Sequence, residues 1–283
     1  MLKINPVSPL IGAEISGINL NTIDASTFAA LHQAFLEHIV IVIRDQHLTE
    51  DDFIRFSGRF GTLKHHITKK AHHPAHPELL LMDSQIIDTR TGEETTTASP
   101  LRVKVGDVWH TDTSYEQITA IATGMYAVNV PSSGGDTLFS NTYHFYDMLS
   151  NTLKQRLAHL RASHAYGGRL KRQQDRLEET ERNRPMAIHP LIATHPETGR
   201  HSLYFNAGQI MQILDIEPAE SAALISTLET LTTLPEGHYR HRWQCGDVVL
   251  WDNRCSIHCA TGGFPPNERR TNWRSTIMAR TAT

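Results

Sequence analysis

Short apolar stretches separated by turn residues recur along the chain, and this pattern predicts a protein built mainly from β-strands. Residues 38–43, HIVIVI, form the longest apolar run and fit one buried strand. From residue 119 onward, strands are predicted in the segments AIATGMYAVNV, DTLFSN, HPLIATH, HSLYFN, HYRHRW, DVVLWD and RSTIMAR. Because these strands do not alternate regularly with helices, the pattern favours a sandwich or jelly roll over a β-α-β fold.

Helical spacing of apolar residues is confined to a few segments near the start of the chain and between the strands. Residues 25–36 have this spacing, with Ser26 as the candidate N-cap. A Thr-x-x-Asp capping pattern at Thr49 predicts a second, shorter helix. Residues 219–232 are amphipathic as well, and we predict a third helix there.

Two segments fit neither a strand nor a core helix. We predict that they are a loop and an insertion within a single domain over residues 1–283. Residues 62–107 contain a histidine-rich piece and a long polar tract, which are typical of a lid-like loop near a site. Residues 143–184 begin with helical spacing and end in a charged run, so we predict a helical insertion there.

Composition and charge exclude several classes of protein. Charged residues make up 20% of the 283 residues and hydrophobic residues 39%, as in ordinary globular proteins. The formal net charge of −3 argues against a nucleic-acid partner, and no apolar run has the length needed to span a membrane. The chain has three cysteines and no C-x-x-C pair, and its first residues lack a signal-peptide core. We therefore expect a cytoplasmic protein with no membrane partner.

A histidine and an aspartate stand two positions apart in the segment WHTDTSY, residues 109–115. If this segment is extended, successive side chains alternate between its faces, so His110 and Asp112 point the same way. An imidazole and a carboxylate aimed at one spot can form a salt bridge, an acid–base pair or half of a metal site. The segment alone leaves all three possibilities open.

His258 is the best candidate for a third partner, because it follows a buried-looking strand and a tight turn in GDVVLWDNRCSIH. Two imidazoles and one carboxylate suit a non-haem Fe(II) oxygenase, since three positions around an octahedral ion then stay open. We therefore predict a metal site formed by His110, Asp112 and His258.

Two arginines follow in the segment ERRTNWRST and strengthen this prediction. Residues 270, 272 and 274 would share one face of a strand, so Arg270 and Arg274 would lie together. A guanidinium stays charged and can bind a carboxylate through two parallel hydrogen bonds. A dicarboxylic co-substrate bound at the iron would need such an anchor, whereas the alternative is that both arginines pair with surface acids.

Nearly from end to end, the chain resembles the taurine and 2,4-dichlorophenoxyacetate dioxygenases. The motifs that carry the resemblance are IGAEISG, VIVIRDQ, RFGTL, WHTD, PSSGGDT, HPLIATHPETGR, RHRWQCGDVVLWDNR and RRTNWR. The resemblance implies a mainly β fold with flanking helices (α+β) and a double-stranded β-helix, or jelly-roll, core. It also implies Fe(II) as the metal and 2-oxoglutarate and O₂ as co-substrates, with substrate hydroxylation giving succinate and CO₂.

Residue by residue, the resemblance implies a role for each matching position in the metal and co-substrate sites. His110, Asp112 and His258 would hold the iron. Thr137 and Arg270 would bind the distal carboxylate of 2-oxoglutarate. The carboxylate ligand favours hydroxylation, because related halogenases have a small residue at the position of Asp112.

The resemblance also implies a pocket for a small anionic substrate. Arg274 would bind the anionic head of the substrate, together with His66 or its neighbour His65. Phe205 and Gln209 would contribute to the pocket wall. The head group would be a sulfonate, a sulfate ester or a carboxylate.

Two positions depart from the taurine-type pattern and argue against taurine itself as the substrate. Gly106 stands where those enzymes have an asparagine that serves the taurine amine, and Gln209 stands where they have a phenylalanine. An ammonium group that loses its acceptor in a buried site is costly.

Three alternatives to a dioxygenase that acts on a sulfonate remain at this point. The first is a tailoring hydroxylase of a natural-product pathway with the same chemistry. The second is a Zn²⁺-dependent hydrolase on the same three ligands, which leaves Arg270 unexplained. The third is a jelly-roll binding module without activity. The relatives commonly form dimers or tetramers, so we expect a homo-oligomer.

Overall fold

The computed structural model describes residues 2–67, 69–84, 86–87, 94–95, 108–170, 177, 179–265 and 267–280. Its helices are α1 (Ala25–His38), α2 (Glu50–Ser57), α3 (Thr142–Met148), α4 (Asn151–Leu157), α5 (Glu179–Arg182) and α6 (Pro218–Thr232). None of the helices in these ranges is long and apolar enough to cross a membrane.

The strands are β1 (Lys3–Pro6), β2 (Ala13–Ser16), β3 (Val40–Ile43), β4 (Thr62–Lys64), β5 (Leu79–Asp83), β6 (Ile86–Ile87), β7 (Glu94–Thr95), β8 (Ala122–Asn129), β9 (Thr137–Asn141), β10 (Arg161–His164), β11 (Ala187–Pro190), β12 (Ile192–Thr194), β13 (His201–Leu203), β14 (Ile210–Ile213), β15 (His238–His241), β16 (Val248–Asp252), β17 (Ser256–Ala260) and β18 (Thr271–Met278). The predicted mainly β fold with flanking helices is confirmed.

Two mostly antiparallel sheets form the jelly-roll core, and only the pairing of β2 with β3 among their described strands is parallel. The larger one has eight strands in the order β1-β2-β3-β16-β8-β18-β4, with β5 also paired to β18. The smaller one has the order β15-β9-β17. Strands that are adjacent in each sheet come from distant parts of the chain, so residues near 110 and near 258 can meet in space.

The large sheet is covered by apolar side chains on both faces, which explains the unbroken apolar run in β3. Val40 and Val42 pack in one buried cluster with Phe139 of the small sheet. Ile41 and Ile43 pack in another cluster, with residues of α1 and α2. A strand that is buried on both faces needs apolar residues at successive positions, because its side chains alternate between the faces.

The ends of the first two helices are set by side-chain caps. Asp24 caps α1, since its carboxylate accepts a hydrogen bond from the backbone N–H of Thr27 at 2.6 Å. The predicted cap Ser26 is wrong, and its hydroxyl donates to Asp24 instead. At α2 the predicted capping box is confirmed, with reciprocal hydrogen bonds between Thr49 and Asp52.

Both the predicted lid and the predicted helical insertion contain strands that pair within the sheets. Residues 143–184 contain α4 and α5, but they also contain β10, which pairs with β11 and β14 in a separate sheet. The pairing shows that part of this segment belongs to the sheet framework. In the predicted lid, residues 62–64 and 79–83 form β4 and β5 against β18. Gly106 and most of residues 84–105 lie outside the described residues.

Candidate active site

A short antiparallel bridge brings His110 and His258 together from opposite ends of the chain. The backbone N–H of each residue donates to the carbonyl of the other, at 3.0 and 2.8 Å. The two imidazole rings lie with their centroids 4.2 Å apart. His258 belongs to β17, which pairs with β9 along one edge. His110 makes its bridge with His258 along the other edge of β17. The small sheet therefore sets the distance between the two imidazoles.

Asp112 reaches the same point from a turn rather than from a strand. His110 forms only the isolated bridge, and residues 112–115 turn away from it, so the predicted extended segment is wrong beyond the bridge. Thr113 has a φ of 57°, which is unusual for a β-branched residue, and its hydroxyl accepts the backbone N–H of Ala120 at 2.6 Å. Local backbone strain of this kind tends to occur at functional sites.

One oxygen of the Asp112 carboxylate faces both imidazoles. Its Oδ1 lies 3.7 Å from His110 Nε2 and 3.8 Å from His258 Nε2. Ligand atoms of the three residues all lie within 4.8 Å of one another. Asp112 and His258 are buried, and His110 is partly buried. The structure therefore brings the three residues of the predicted metal site together.

The donor atoms of this site suit a divalent metal ion. The only proton of a neutral His110 ring is held at Nδ1, because that atom donates to the carbonyl of Val108 at 2.8 Å. This leaves a lone pair on Nε2, on the side of Asp112. The other Asp112 oxygen, Oδ2, accepts the hydroxyl of Thr123 at 2.6 Å, which leaves Oδ1 as the carboxylate oxygen that faces both imidazoles. Two imidazole nitrogens and one carboxylate oxygen match the facial set that binds non-haem Fe(II).

The protonation states of these ligands also favour metal binding. Burial and the nearby His110 ring lower the pKa of His258 to about 3, so the imidazole is neutral at physiological pH. Burial alone would raise the pKa of Asp112, but the Arg274 guanidinium and the two imidazoles hold it below its ordinary value. Asp112 thus supplies a negative charge and His258 a neutral imidazole, the forms in which these groups bind a metal ion.

Arg274 lies in the site and contacts the metal ligands directly. Its Nη2 donates to Asp112 Oδ1 at 2.7 Å, and only 12% of its side chain is exposed. The alternative of a pairing with a surface acid is therefore wrong for Arg274. The guanidinium shares this oxygen with the two imidazoles.

Arg270 occupies a different environment, next to Trp243 and Thr137. Its guanidinium carbon lies 6.0 Å from the centre of the Trp243 ring, and the indole N–H of Trp243 donates to the Thr137 hydroxyl at 3.0 Å. Among the described residues the Arg270 guanidinium has no hydrogen bond or ion pair. Burial lowers its pKa to about 10, so it stays charged at neutral pH.

A buried cation without a counter-charge calls for an anionic ligand, because an unpaired buried charge is costly. A carboxylate would satisfy the Arg270 guanidinium, and its additional contact with Thr137 stays a prediction. β18 begins at Thr271, so Arg270 lies just before the strand that carries Arg274. The expectation that residues 270, 272 and 274 share one face stays a prediction.

His66 faces the site, whereas His65 is exposed. The Nε2 atom of His66 lies 3.3 Å from the hydroxyl of Tyr115, and the charges of Arg274 and Asp112 act on its ring. Burial, together with Arg274, lowers the pKa of His66 to about 3. The backbone carbonyl of His66 accepts a hydrogen bond from His72, which holds the loop in this register. The geometry therefore favours His66 over its neighbour as a substrate contact.

Phe205 and Gln209, the two predicted pocket-wall residues, have different surroundings. Phe205 is buried in a hydrophobic cluster with Leu203 and Ile210, and its predicted substrate contact stays a prediction. Gln209 accepts a hydrogen bond from the hydroxyl of Ser114 at 2.6 Å. It follows Gly208, where a Cβ atom would lie 3.1 Å from the Cβ of His110, so no side chain fits there without displacing the ligand.

Two residues that sequence reasoning missed hold Asp112 in place. Thr123 of β8 donates its hydroxyl to Asp112 and accepts the side-chain N–H of Asn253 at 2.9 Å. Asn253 also lies 3.4 Å from the backbone N–H of Asp112 through its Oδ1, and its carbonyl accepts the Thr111 hydroxyl at 2.7 Å. Asn253 stands in the quoted motif WDNR, which was the available signal, whereas a threonine in an apolar strand gives none.

Thr123→Val is expected to weaken metal binding, because it removes the hydroxyl that orients the carboxylate while keeping the shape of the side chain. Loss of such an outer hydrogen bond typically costs about tenfold or more in metal affinity. Anaerobic titration with Fe(II) in the presence of 2-oxoglutarate measures this affinity. Thr123→Ser, which keeps the hydroxyl, is the control, and equal affinity for all three proteins would contradict the orienting role.

Comparison with known proteins agrees with this geometry. A model of the family described as taurine catabolism dioxygenase TauD, TfdA family matches residues 3–276. The chain is 32% identical over 283 residues to an (S)-phenoxypropionate/alpha-ketoglutarate-dioxygenase of Sphingobium herbicidovorans, covering 97% of this chain and 94% of that one. It is 31% identical over 290 residues to a pentalenolactone F synthase of Streptomyces arenae, covering 95% and 93%.

A solved structure shows the same similarity in three dimensions. The crystal structure of a taurine dioxygenase from Burkholderia xenovorans superposes with a TM-score of 0.80 at 29% sequence identity, covering 98% of this chain and 89% of that one. The family match spans nearly the whole chain, and its cofactor chemistry agrees with the group formed by His110, Asp112 and His258. The chain therefore belongs to the TauD/TfdA family and is an Fe(II)- and 2-oxoglutarate-dependent dioxygenase, with O₂ as its second co-substrate.

Proposed function

We propose that this enzyme hydroxylates a small organic anion whose head is a sulfonate, a sulfate ester or a carboxylate. The observation that carries the proposal is the pairing of Arg274 with Asp112 Oδ1 at 2.7 Å. A metal held by Asp112 would take up the negative charge of that oxygen. Arg274 is largely buried, so its guanidinium would then need another anion, and the head of the substrate supplies it.

Two sets of residues hold the metal and the co-substrate in this proposal. His110, Asp112 and His258 hold Fe(II), and Thr137 and Arg270 bind the distal carboxylate of 2-oxoglutarate. When bound, the metal and 2-oxoglutarate activate O₂, so that one oxygen atom oxidises the substrate and the other enters succinate, with release of CO₂.

The chain itself contributes position, charge and a low-polarity enclosure. Thr123 and Asn253 hold the carboxylate of Asp112, and the bridge between His110 and His258 sets the spacing of the imidazoles. His66, which is neutral at physiological pH, adds a hydrogen-bonding group for the head of the substrate without a second charge. The proposal thus assigns one positive charge, that of Arg274, to one anionic head.

A cavity next to this site provides room for a substrate. It has a volume of about 390 Å³, and its lining includes His66 together with Lys64, Lys69, His72, Glu181 and Arg184. This lining is mostly cationic or neutral, which favours the approach of an anion. The names of the relatives support the same class, since phenoxypropionate is a carboxylate and taurine is a sulfonate.

The experiment that tests the proposal is a substrate panel with Fe(II) and 2-oxoglutarate, read as succinate formation. The panel contains alkanesulfonates, alkyl sulfates and aryloxy acids, each beside a neutral amide or alcohol of the same skeleton. We expect succinate release to exceed the substrate-free rate only with the anions. Equal stimulation by the neutral partners would contradict the proposal, and product formation without O₂ and 2-oxoglutarate would instead support the Zn²⁺-hydrolase alternative.

Arg274→Met is expected to raise the KM for the primary substrate by about tenfold, the lower part of the range for a hydrogen-bonded charge. The effect is moderate because Arg274 already has a partner in the free enzyme. The KM for 2-oxoglutarate should change far less. Steady-state kinetics with each co-substrate varied in turn gives both values, and Arg280→Met, on an exposed arginine at the end of the described chain, is the matched control. The opposite pattern would mean that Arg270 and Arg274 exchange roles.

A tailoring hydroxylase of a natural-product pathway is the second candidate. The observation that favours it is the 31% identity to pentalenolactone F synthase over nearly the full length of both chains. Both candidates share the iron and 2-oxoglutarate chemistry. They differ in the size of the substrate, which the panel would extend with polycyclic carboxylic acids and lactones.

We also propose that the enzyme acts in the cytoplasm as a homo-oligomer, a dimer or a tetramer. The support for the location is chemical, since Cys245, Cys255 and Cys259 are all free thiols and a reducing compartment keeps them so. The oligomeric state is expected from the family resemblance. Size-exclusion chromatography with light scattering measures it directly, and a monomeric mass at micromolar concentration would contradict it.

A further inference from the structure

A largely buried polar network surrounds the turn that connects β16 to β17. Its centre is the carboxylate of Asp252, the last residue of β16, and its other members are His195, Glu197 and Arg254. Only 1% of the side chains of Asp252 and His195 is exposed, and 12% of the side chain of Arg254. We call these four residues the Asp252 clamp.

Each oxygen of the Asp252 carboxylate accepts two hydrogen bonds. Oδ1 accepts the backbone N–H and the Nε–H of Arg254, at 2.9 and 2.8 Å. Oδ2 accepts the Nη2–H of Arg254 at 2.6 Å and the Nε2–H of His195 at 3.1 Å. The Nη1 atom of Arg254 donates to Glu197 at 2.7 Å. The protein itself therefore satisfies this carboxylate, as a buried charge requires.

His195, Asp252 and Cys255 lie close enough together to hold a metal ion, but their hydrogen atoms argue against such a site. His195 Nδ1 accepts the backbone N–H groups of Glu197 and Thr198, both at 3.2 Å. The ring proton of His195 therefore lies on Nε2 and points at Asp252. Burial raises the pKa of the Cys255 thiol, which disfavours the thiolate that a metal would need. The group thus holds the turn and does not form a second metal site.

The turn held by the clamp contains Asn253, which connects it to Asp112. Asp252 and Arg254 are the two neighbours of Asn253 in the chain, and their side chains bind each other. The Asn253 amide donates to Thr123, and the Thr123 hydroxyl donates to Asp112 Oδ2. A shift of the turn would therefore move the hydrogen bonds that orient the Asp112 carboxylate.

The same turn sets the start of the strand that carries His258. The hydroxyl of Ser256, the first residue of β17, donates to the backbone carbonyl of Asp252 at 2.5 Å. His258 follows two residues later in the same strand. The hydroxyl of Ser202 in β13 donates to the backbone carbonyl of Arg254 at 2.9 Å, which ties the turn to a further strand. One turn is thus connected to two of the three predicted metal ligands.

We propose that the Asp252 clamp positions the metal ligands Asp112 and His258 by fixing the turn between β16 and β17. The inference rests on the proposed function, which assigns those two residues to the metal. A group of this kind acts by holding the ligands in the geometry that binds the metal. Its loss should weaken metal binding although all three ligands remain.

The chain offers a matched control, because a similar network lies at the other end of β16. There Arg44 donates to Asp247, which is fully buried and comes directly before the strand, at 2.7 Å, and to Glu14 at 2.9 Å. Arg254→Met and Arg44→Met each leave a buried carboxylate without its arginine. Each should lower the melting temperature by about 10 °C. Only Arg254 belongs to the turn that orients the metal ligands.

Metal binding is measured with Co(II), whose visible absorption gives the dissociation constant and depends on the geometry of the ligands. We expect Arg254→Met to bind Co(II) about tenfold more weakly than the wild-type enzyme, with altered visible bands. Arg254→Lys keeps the charge but loses the paired donors, so an intermediate constant is expected. This milder variant carries the test if Arg254→Met does not fold. Arg44→Met should bind Co(II) as the wild-type enzyme does.

The outcomes separate this inference from the proposed function. If the Arg254 variants bind Co(II) with the wild-type constant and bands, the inference is overturned and the proposed function stands. Equal weakening in Arg44→Met would show a general loss of stability instead of positioning, which also overturns it. If Asp112→Ala still binds one Co(II) and shows a thiolate absorption band, the group with Cys255 is a metal site and the inference is wrong. If the wild-type enzyme binds no Co(II), the predicted metal ligands fail together with the inference.

Discussion

Asp112→Ala is expected to reduce succinate formation to the background rate at any concentration of Fe(II) that can be reached. The substitution removes the only negative charge among the three ligands. It also leaves the Arg274 guanidinium, which donates to Asp112 at 2.7 Å, next to the metal position without a counter-charge. The remaining site would consist of two neutral imidazoles and one cation, an arrangement that repels Fe(II). Metal affinity is measured by anaerobic titration with 2-oxoglutarate, and turnover by succinate release.

The effect on folding has to be separated from the effect on the metal, because Asp112 is buried. Breaking a buried pair by removing one partner costs about 3–5 kcal/mol of stability. The double variant Asp112→Ala/Arg274→Met removes the orphaned charge and should recover part of that stability without recovering turnover. Asp51→Ala, on an exposed acid of α2, is the matched control and should behave as wild type. Turnover above background in either Asp112 variant would contradict the role of Asp112 as a metal ligand.

The sheet framework was predictable from the sequence because it depends on local alternation. The run of residues 40–43 is apolar at every position, and the structure buries both faces of that strand. The approach of His110 and His258 is not a local property. It depends on a bridge between segments far apart in the chain, so the residues alone offered His258 as a candidate partner and the family resemblance supported that choice.

Two features of the site could not be predicted from alternation. Asp112 stands in a turn directly before Thr113, whose φ is positive, so its side chain reaches the imidazoles by a route that an extended segment would not offer. Arg270 likewise lies before the first residue of β18, the strand that carries Arg274, so alternation along that strand does not fix its surroundings. Irregular backbone of this kind is frequent near active sites, where it directs a side chain to a position that regular pairing cannot reach.

The polar residues that hold the metal ligands in place were the least predictable part of the site. Thr123 reads as one more β-branched residue in a strand, and only its contact with Asp112 shows its role. The Ser114 hydroxyl contacts the side chains of Gln209, Asn206 and His164, which come from distant parts of the chain, so no sequence window contains this hydrogen-bond pattern. Polar residues that serve a site through other residues leave a weak signal in one sequence, since each also has an ordinary structural interpretation.

Arg270→Ala is expected to raise the KM for 2-oxoglutarate by about 30-fold, which corresponds to about 2 kcal/mol for a hydrogen bond to a charged group. The effect should exceed that of Arg274→Met because Arg270 has no counter-charge among the described residues, and burial has lowered its pKa to about 10. The carboxylate of the co-substrate would therefore satisfy a desolvated cation, and no existing ion pair has to be broken first.

The neighbouring arginine provides a matched control for this prediction. Arg269 is exposed and donates to Asp83 at 2.6 Å, so Arg269→Ala removes a guanidinium at the next position without touching the pocket beside Trp243. Its KM for 2-oxoglutarate should remain close to the wild-type value. Arg270→Lys keeps the charge but loses the two parallel donors, so an intermediate KM is expected. A KM for 2-oxoglutarate that is unchanged in Arg270→Ala would place the distal carboxylate elsewhere, and the unpaired guanidinium would then need a different anion.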